Sequence, residues 1–420
     1  MLSVPLNTMA VEQTSTSQAS SATGSSGVDG GAGWVVAAAT FASTFTVFGV
    51  AYSFGAFFGP MADEFGSDRS ATALFFAITA FLYFGLGVIS GHVADLRGPR
   101  PVLLLGAVCL VVGLLATSRV QSIWLGYLTY GLGVGIGVAC CYVPMVAAVG
   151  GWFERRRTTA LGVAVAGIGA GTLTVAPLAE RLIAAHGWRR TYVLLAVGAA
   201  VLLAIAAIGA RRPPLASAPS SHSSPLARLM TTGVDPALRH DFSILYGSGF
   251  LITLALFVPF VFLPDYVETR GVQGSAGWLI GTIGISSVAG RLGLGALAIW
   301  VPPRALYQGC FAVLGASFGL WLVAGQSYPL LVAFAMVLGV AYGGFIALAP
   351  AVTADLVGTR GLGAVLGALY TSSGIGGLVG PPLMGLVIDG YGYRSALLLA
   401  MAFGLAGAAL LSALGRSQAR

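Results

Sequence analysis

The chain contains no lysine. All 21 of its basic residues are arginine, acids number 14 in 420 residues, and charged side chains make up only 8% of the sequence. A water-soluble domain needs far more charge than this to clothe its surface, so that class is excluded. Histidine and cysteine are just as sparse, at four each. Cys109, Cys140, Cys141 and Cys310 lie inside apolar stretches without metal-ligand spacing, which argues against a disulfide framework or a zinc site and leaves them as packing residues. No cofactor is expected.

Hydrophobic residues fill 57% of the chain, and the mean hydropathy is +0.89. A bilayer core takes roughly 20 apolar helical residues to cross, and the backbone must satisfy its own hydrogen bonds there. Twelve stretches qualify: 34–58, 71–93, 101–118, 123–149, 159–179, 191–210, 242–264, 276–299, 305–324, 328–352, 361–388 and 395–415. The expected fold is an all-α membrane protein. Residues 1–28 and 416–420 are expected to be tails, the first disordered and with no signal-peptide pattern.

Arginine placement sets the threading. With the N-terminus inside, thirteen arginines fall on the cytoplasmic side, among them Arg97, Arg100, Arg155, Arg156, Arg157, Arg211 and Arg212, against seven outside. That asymmetry predicts both termini in the cytoplasm. A net charge of +7 is therefore accounted for by topology and a lipid-bilayer partner, not by nucleic acid. The wealth of Ala, Gly and Arg without lysine suggests a GC-rich bacterial genome, hence a cell membrane.

The one long connection, 211–241, divides the chain into an N-terminal six-helix lobe at 29–210 and a C-terminal one at 242–415. The lobes superimpose in sequence. Gly91–Arg100 ("GHVADLRGPR") matches Gly295–Arg304, Pro144 matches Pro350, and Gly187-Trp188-Arg189 matches Gly392-Tyr393-Arg394, at shifts of 204, 206 and 205. A parallel repeat of this kind is how two-lobed secondary transporters are built, with the substrate path between lobes near the midplane. The short loops leave no room for a soluble catalytic domain, so no enzyme is expected.

Charge inside a bilayer is expensive and usually functional. None of the acids or histidines falls near the middle of a span, but Arg291 lies inside the eighth, one helical turn before Gly295. Its repeat counterpart is Gly87, so the charge is no part of the shared scaffold. Snorkelling to the interface is the plain reading. A planar, permanently charged fork suited to a carboxylate is the functional one. Tyr52, Tyr142, Tyr342, Tyr370 and Ser287 are the hydroxyls expected around it, each with bundle packing as its ordinary alternative.

Several motifs resemble known ones. "GHVADLRGPRP" resembles the loop between helices two and three of the major facilitator superfamily: Gly91, Asp95, Gly98 and Arg100 keep their places, Leu96 stands where that family has Arg, and Arg97 is one position late. "DGGAGWVV" (Asp29, Gly30, Gly31, Ala32, Gly33, Trp34 and on) is similar to the entrance motif of the monocarboxylate transporter family, with Ala32 for its first Trp. "GWFERRRTTALGVAVAGIGAG" from Gly151 resembles that family's helix-five signature, Asp355 to Gly392 its helix eleven, and "LFVPFVFLPDYV" its helix seven. The position of Arg291 matches the family's carboxylate-binding arginine in helix eight.

The resemblance implies a twelve-helix major facilitator fold and alternating-access transport of a small monocarboxylate of the lactate, pyruvate or acetate type, coupled to a proton. It implies a gating role for Gly91, Asp95, Arg97, Gly98 and Arg100. Read physically, Asp29 and Trp34 mark where helix one leaves water. The triplet Arg155–Arg157 anchors a loop to anionic headgroups, an interlobe latch being the lesser alternative. The family pattern also has an acid one turn before the arginine and a lysine in helix one; Ser287 stands at the first place, and with no lysine the chain cannot fill the second, for which Tyr52 is the nearest polar candidate. With no acid in the spans, organic-anion exchange of the oxalate/formate kind is the alternative to proton symport, and a non-transporting membrane receptor the remote one. Nothing in the sequence identifies an accessory subunit.

Overall fold

The computed structural model describes residues 29–214, 236–357 and 362–414. The expected tails and most of the 211–241 linker lie outside these. The described chain is helical throughout. Ten helices are long and apolar enough to cross a bilayer. Eight are single spans: α1 (Gly31–Phe65), α2 (Arg69–Arg97), α3 (Pro99–Thr117), α4 (Ile123–Trp152), α7 (Arg239–Arg270), α8 (Ala276–Leu297), α9 (Pro303–Ala324) and α10 (Tyr328–Leu356). The other two, Arg157–Gly209 and Leu362–Leu411, are each broken by a glycine, Gly187 at φ 78° and Gly392 at φ 79°. Both glycines adopt a backbone region essentially closed to other residues. The breaks make four spans of these two, α5 (157–186) and α6 (188–209), then α11 (362–391) and α12 (393–411), for twelve in all. The same break at the same place in each half is the expected repeat seen in the backbone.

Spans differ from expectation chiefly in running further. α1 bends at Ser53 and continues to Phe65, where Gly66 turns left-handed at φ 56°. α5 passes the expected end at 179 and carries Glu180 and Arg181, because Glu180 finds donors on a neighbouring helix.

Helices whose outer faces are apolar at helical spacing present them to lipid: on α6, Val197, Val201, Ile205 and Ile208 are all exposed. Trp124, Trp300 and Tyr391 are exposed near span ends, as an interfacial aromatic belt requires. Odd-numbered spans leave the face bearing Asp29 and arrive at the face bearing Asp389, and even-numbered ones return. In the first six-helix half α1 packs on α5 and α3 on α4, while in the second α8 packs on α10 and α9 on α12. The halves meet along α5–α8 and α2–α11. At the first seam a Cβ placed on Gly169 would lie 2.5 Å from the carbonyl oxygen of Gly284, and one on Gly284 would lie 2.8 Å from that of Gly169. Only paired glycines allow backbones this close, the small-residue packing that lets membrane helices approach one another.

Candidate functional site

Between the halves lies a cavity of about 510 Å³. α2 and α4 wall it on one side, α7, α10 and α11 on the other. Its lining runs from Tyr83, Tyr142, Phe257 and Tyr342 in mid-span to His92 and Asp95 at the Asp29-face end of α2. The cavity therefore opens toward the Asp29 face. Toward the Asp389 face it is floored by aromatic packing across the halves. Tyr52 stacks on Phe260 at 4.4 Å between centroids, Phe58 meets Phe262 edge-on, and the Tyr52 and Tyr342 hydroxyls share a 2.9 Å hydrogen bond.

Arg291, 8% exposed, is not itself among the residues that line the cavity and stands beside one that is, Tyr342. Its Nη1 donates to the Val165 carbonyl on α5 at 3.2 Å, across the seam, and its guanidinium carbon lies 5.8 Å from the ring centroid of Tyr342. Nε and Nη2 have no hydrogen-bond partner among the described residues. These two nitrogens share one edge of the guanidinium plane, the edge that receives a carboxylate through two parallel hydrogen bonds. An unpaired buried cation costs several kcal/mol, a cost that a bound anion would offset.

The expected hydroxyls are placed unequally. Tyr142, Tyr342 and Tyr370 line the cavity. Tyr52 sits in its floor. Ser287 is fully buried and donates back to the Gly284 carbonyl at 2.7 Å, and its backbone packs against Gly343 of α10, so it belongs to the α8–α10 contact and is not a cavity-lining residue. Tyr83, which sequence reasoning missed, lines the cavity with a buried hydroxyl that has no partner among the described residues. Tyrosines are scattered along many spans, and nothing in the local sequence distinguishes Tyr83 from the rest.

The gating loop is held from outside its own motif. Asp95 is exposed at the cavity mouth and forms no ion pair with Arg100 or any other described residue. Instead Gly98, at φ 92°, admits the Arg212 side chain, whose Nη2 donates to the Leu96 carbonyl at 2.6 Å. Gly91 borders the mouth, and Arg97 and Arg100 are exposed.

Asp29 corrects a second expectation. Its carboxylate does not cap helix one, whose N-cap is Gly30 without a side-chain bond. It crosses to the α4–α5 loop and accepts the backbone N–H groups of Glu154, Arg155 and Arg156 at 3.3, 3.1 and 3.3 Å, while its own N–H donates to the Trp152 carbonyl. The backbone bond from Arg155 holds the Asp29 carboxyl below its ordinary range. Gly33 is bare because the Phe153 ring occupies the place of its Cβ, 2.9 Å away, and Trp34 meets that same ring edge-on. The entrance motif and the helix-five motif are thus one structure, with the side chains of Arg155, Arg156 and Arg157 left exposed around it.

Comparison with known proteins agrees with this architecture. The chain matches the model of the Major Facilitator Superfamily over residues 40–333 and 301–419. It is 33% identical over 399 residues to Monocarboxylate transporter 11 of Homo sapiens, covering 91% of this chain and 82% of that protein. It is 32% identical to Monocarboxylate transporter 13 of Rattus norvegicus over 392 residues, covering 91% and 89%. Among solved structures, a bacterial homologue of the human lysosomal transporter Spinster, described as inward-facing and unoccupied, superimposes with a TM-score of 0.66 at 16% identity, over 90% of this chain and 96% of that one.

Proposed function

Since this chain belongs to the major facilitator superfamily and, within it, to the monocarboxylate transporter family, we propose that it moves a small monocarboxylate across the cell membrane by alternating access, with Arg291 as the anion clamp. It is a membrane transporter and not an enzyme. One observation carries the reading: Arg291 is buried with the Nε/Nη2 edge of its guanidinium unpaired. A carboxylate docked there would sit beside Tyr342, with Tyr142 and Tyr370 on the cavity wall as further donors. Tyr52 and Ser287 act one step back, the first through its bond to Tyr342 and the second by packing α8 on α10. Such a clamp suits a single carboxylate of lactate, pyruvate or acetate size. In this reading both termini and the Asp29 face are cytoplasmic, so the cavity faces inward.

Proton symport is the first coupling mode, as the family relation suggests. Anion exchange is the second, and the unpaired guanidinium favours it. Reorienting the empty carrier would close the site around a bare charge, whereas a bound anion neutralises it. No described acid is within salt-bridge distance of Arg291 to take over that role.

Uptake of labelled lactate, pyruvate and acetate into proteoliposomes tests this, comparing wild type with Arg291→Met. Gradient-driven accumulation that the variant loses supports symport, and uptake only into anion-loaded vesicles supports exchange. Removing an unpaired buried charge leaves the fold at least as stable, so the variant should melt no lower than wild type. Unchanged uptake in the variant would sink the proposal.

A further inference from the structure

The face opposite the cavity mouth is closed by charge, and the pattern of that charge departs from the repeat in one place. In each half, the aromatic residue after the glycine break hooks the carboxylate at the end of the half's first helix. Trp188 Nε1 donates to Glu64 Oε2 at 2.8 Å, and the Tyr393 hydroxyl donates to Asp265 Oδ2. In the first half the next residue, Arg189, completes the site with a 2.5 Å pair to Glu64. Its counterpart Arg394 is exposed and makes no ion pair among the described residues. The cation on Asp265 comes from the other half instead: Arg69, the first residue of α2, donates from Nε at 2.8 Å and from Nη2 at 3.3 Å.

Arg69 also reaches α11. Its Nη1 pairs with Asp389 Oδ1 at 2.9 Å, and its backbone N–H donates to Asp389 Oδ2 at 3.1 Å. The α5–α8 seam carries a counterpart contact. Glu180 near the end of α5 accepts from the Ser275 hydroxyl at 2.5 Å and from the Gly277 N–H at 2.9 Å, at the start of α8. So at each seam a carboxylate late in α5 or α11 caps the first turn of α8 or α2 in the opposite half. Unpaired first-turn N–H groups and the positive end of the helix dipole make both contacts favourable.

We propose that these two reciprocal caps, joined by the Arg69–Asp265 pair, form the latch that holds the Asp389 face shut while the cavity is open on the other side. Every one of these bonds crosses between halves, so a rocking motion that opens this face must break them together. The three-way bond of Asp29 lies within one half and is spared by the same motion. The latch rests on the alternating-access reading above, which supplies the second state.

Hydrogen–deuterium exchange on the full chain in lipid nanodiscs tests it, with wild type set against Arg69→Ala and, separately, Glu180→Gln. The latch predicts roughly tenfold faster exchange in both segments 66–72 and 275–281 in each variant, including the segment whose own contact was left intact. It also predicts slower exchange over 91–97 at the cavity mouth, because opening one face closes the other. Arg69→Lys, which keeps a cation, falls between wild type and Arg69→Ala. Faster exchange confined to the altered residue's own segment, or no change in either variant, overturns the proposal. Uptake on the same samples keeps the two readings apart: a coupled exchange response in a protein that carries no anion leaves the latch standing and removes the proposed function, and the converse result does the reverse.

Discussion

At the scale of single residues, charge at a membrane boundary is used in three ways here. Arg291 leaves one edge of its guanidinium without a partner among the described residues, Arg69 bridges the halves, and Asp29 staples two loops of one half. The Asp29 staple has a defined pH dependence. Its folded pKa is lowered by the Arg155 N–H and its neighbours, so its contribution to stability is fully present above the ordinary carboxylate value of about 3.9 and is lost as pH falls through the lowered value. Thermal melts of wild type and Asp29→Ala should therefore differ by a constant amount between about pH 5 and 8, with the variant lower, and should converge only in strong acid. A difference that shrinks near neutrality would show the carboxylate held otherwise than by these bonds. Arg291 was legible in the sequence because a charge inside an apolar run has few explanations. Arg69 was not, since it reads as an ordinary residue after the Asp68 helix cap, and its partners lie 196 and 320 residues away. Asp29 was legible as a motif but not as a bond, because its acceptor role depends on a loop more than a hundred residues downstream.

At the scale of helices, contact is decided by where side chains are missing. The α5–α8 seam has Gly169 facing Gly284, and helix crossing there leaves no room for a methyl group. Gly169→Ala would set Cβ 2.5 Å from the Gly284 carbonyl oxygen, so the seam must spread, at about 1–3 kcal/mol by the usual scale of overpacking. Thermal stability should fall accordingly, and proteoliposome uptake should fall more than stability alone explains, because the seam is where the halves must roll on each other. Uptake equal to wild type would mean that the seam tolerates spreading throughout the cycle. The spacing of small residues in helix five was readable from the sequence. Which helix they face was not, because a stripe of glycine specifies close approach without naming a partner.

At the scale of the molecule, the two faces differ in how they are held. The Asp389 face is tied across the halves by Arg69, Asp265, Asp389 and Glu180, and at the Asp29 face the cavity runs out past His92 and Asp95. If the Asp29 face is cytoplasmic, a membrane-impermeant maleimide added to intact cells should label a cysteine introduced at exposed Thr269 and spare one introduced at Glu154. The reverse pattern would invert the topology and make the cavity outward-facing. Sequence alone determined the membrane class, the repeat, the number of spans and the position of Arg291 inside one of them, because each is read without a partner in space: hydropathy is summed over about 20 residues, a repeat is the same short motif met twice, and an arginine in an apolar run stands out by itself. Tertiary structure alone decided which face is open, that Asp95 stands unpaired, that Ser287 is packing, and which carboxylates cap which helices. These depend on how the two halves sit against each other, a relation between residues hundreds of positions apart that no short window of sequence contains.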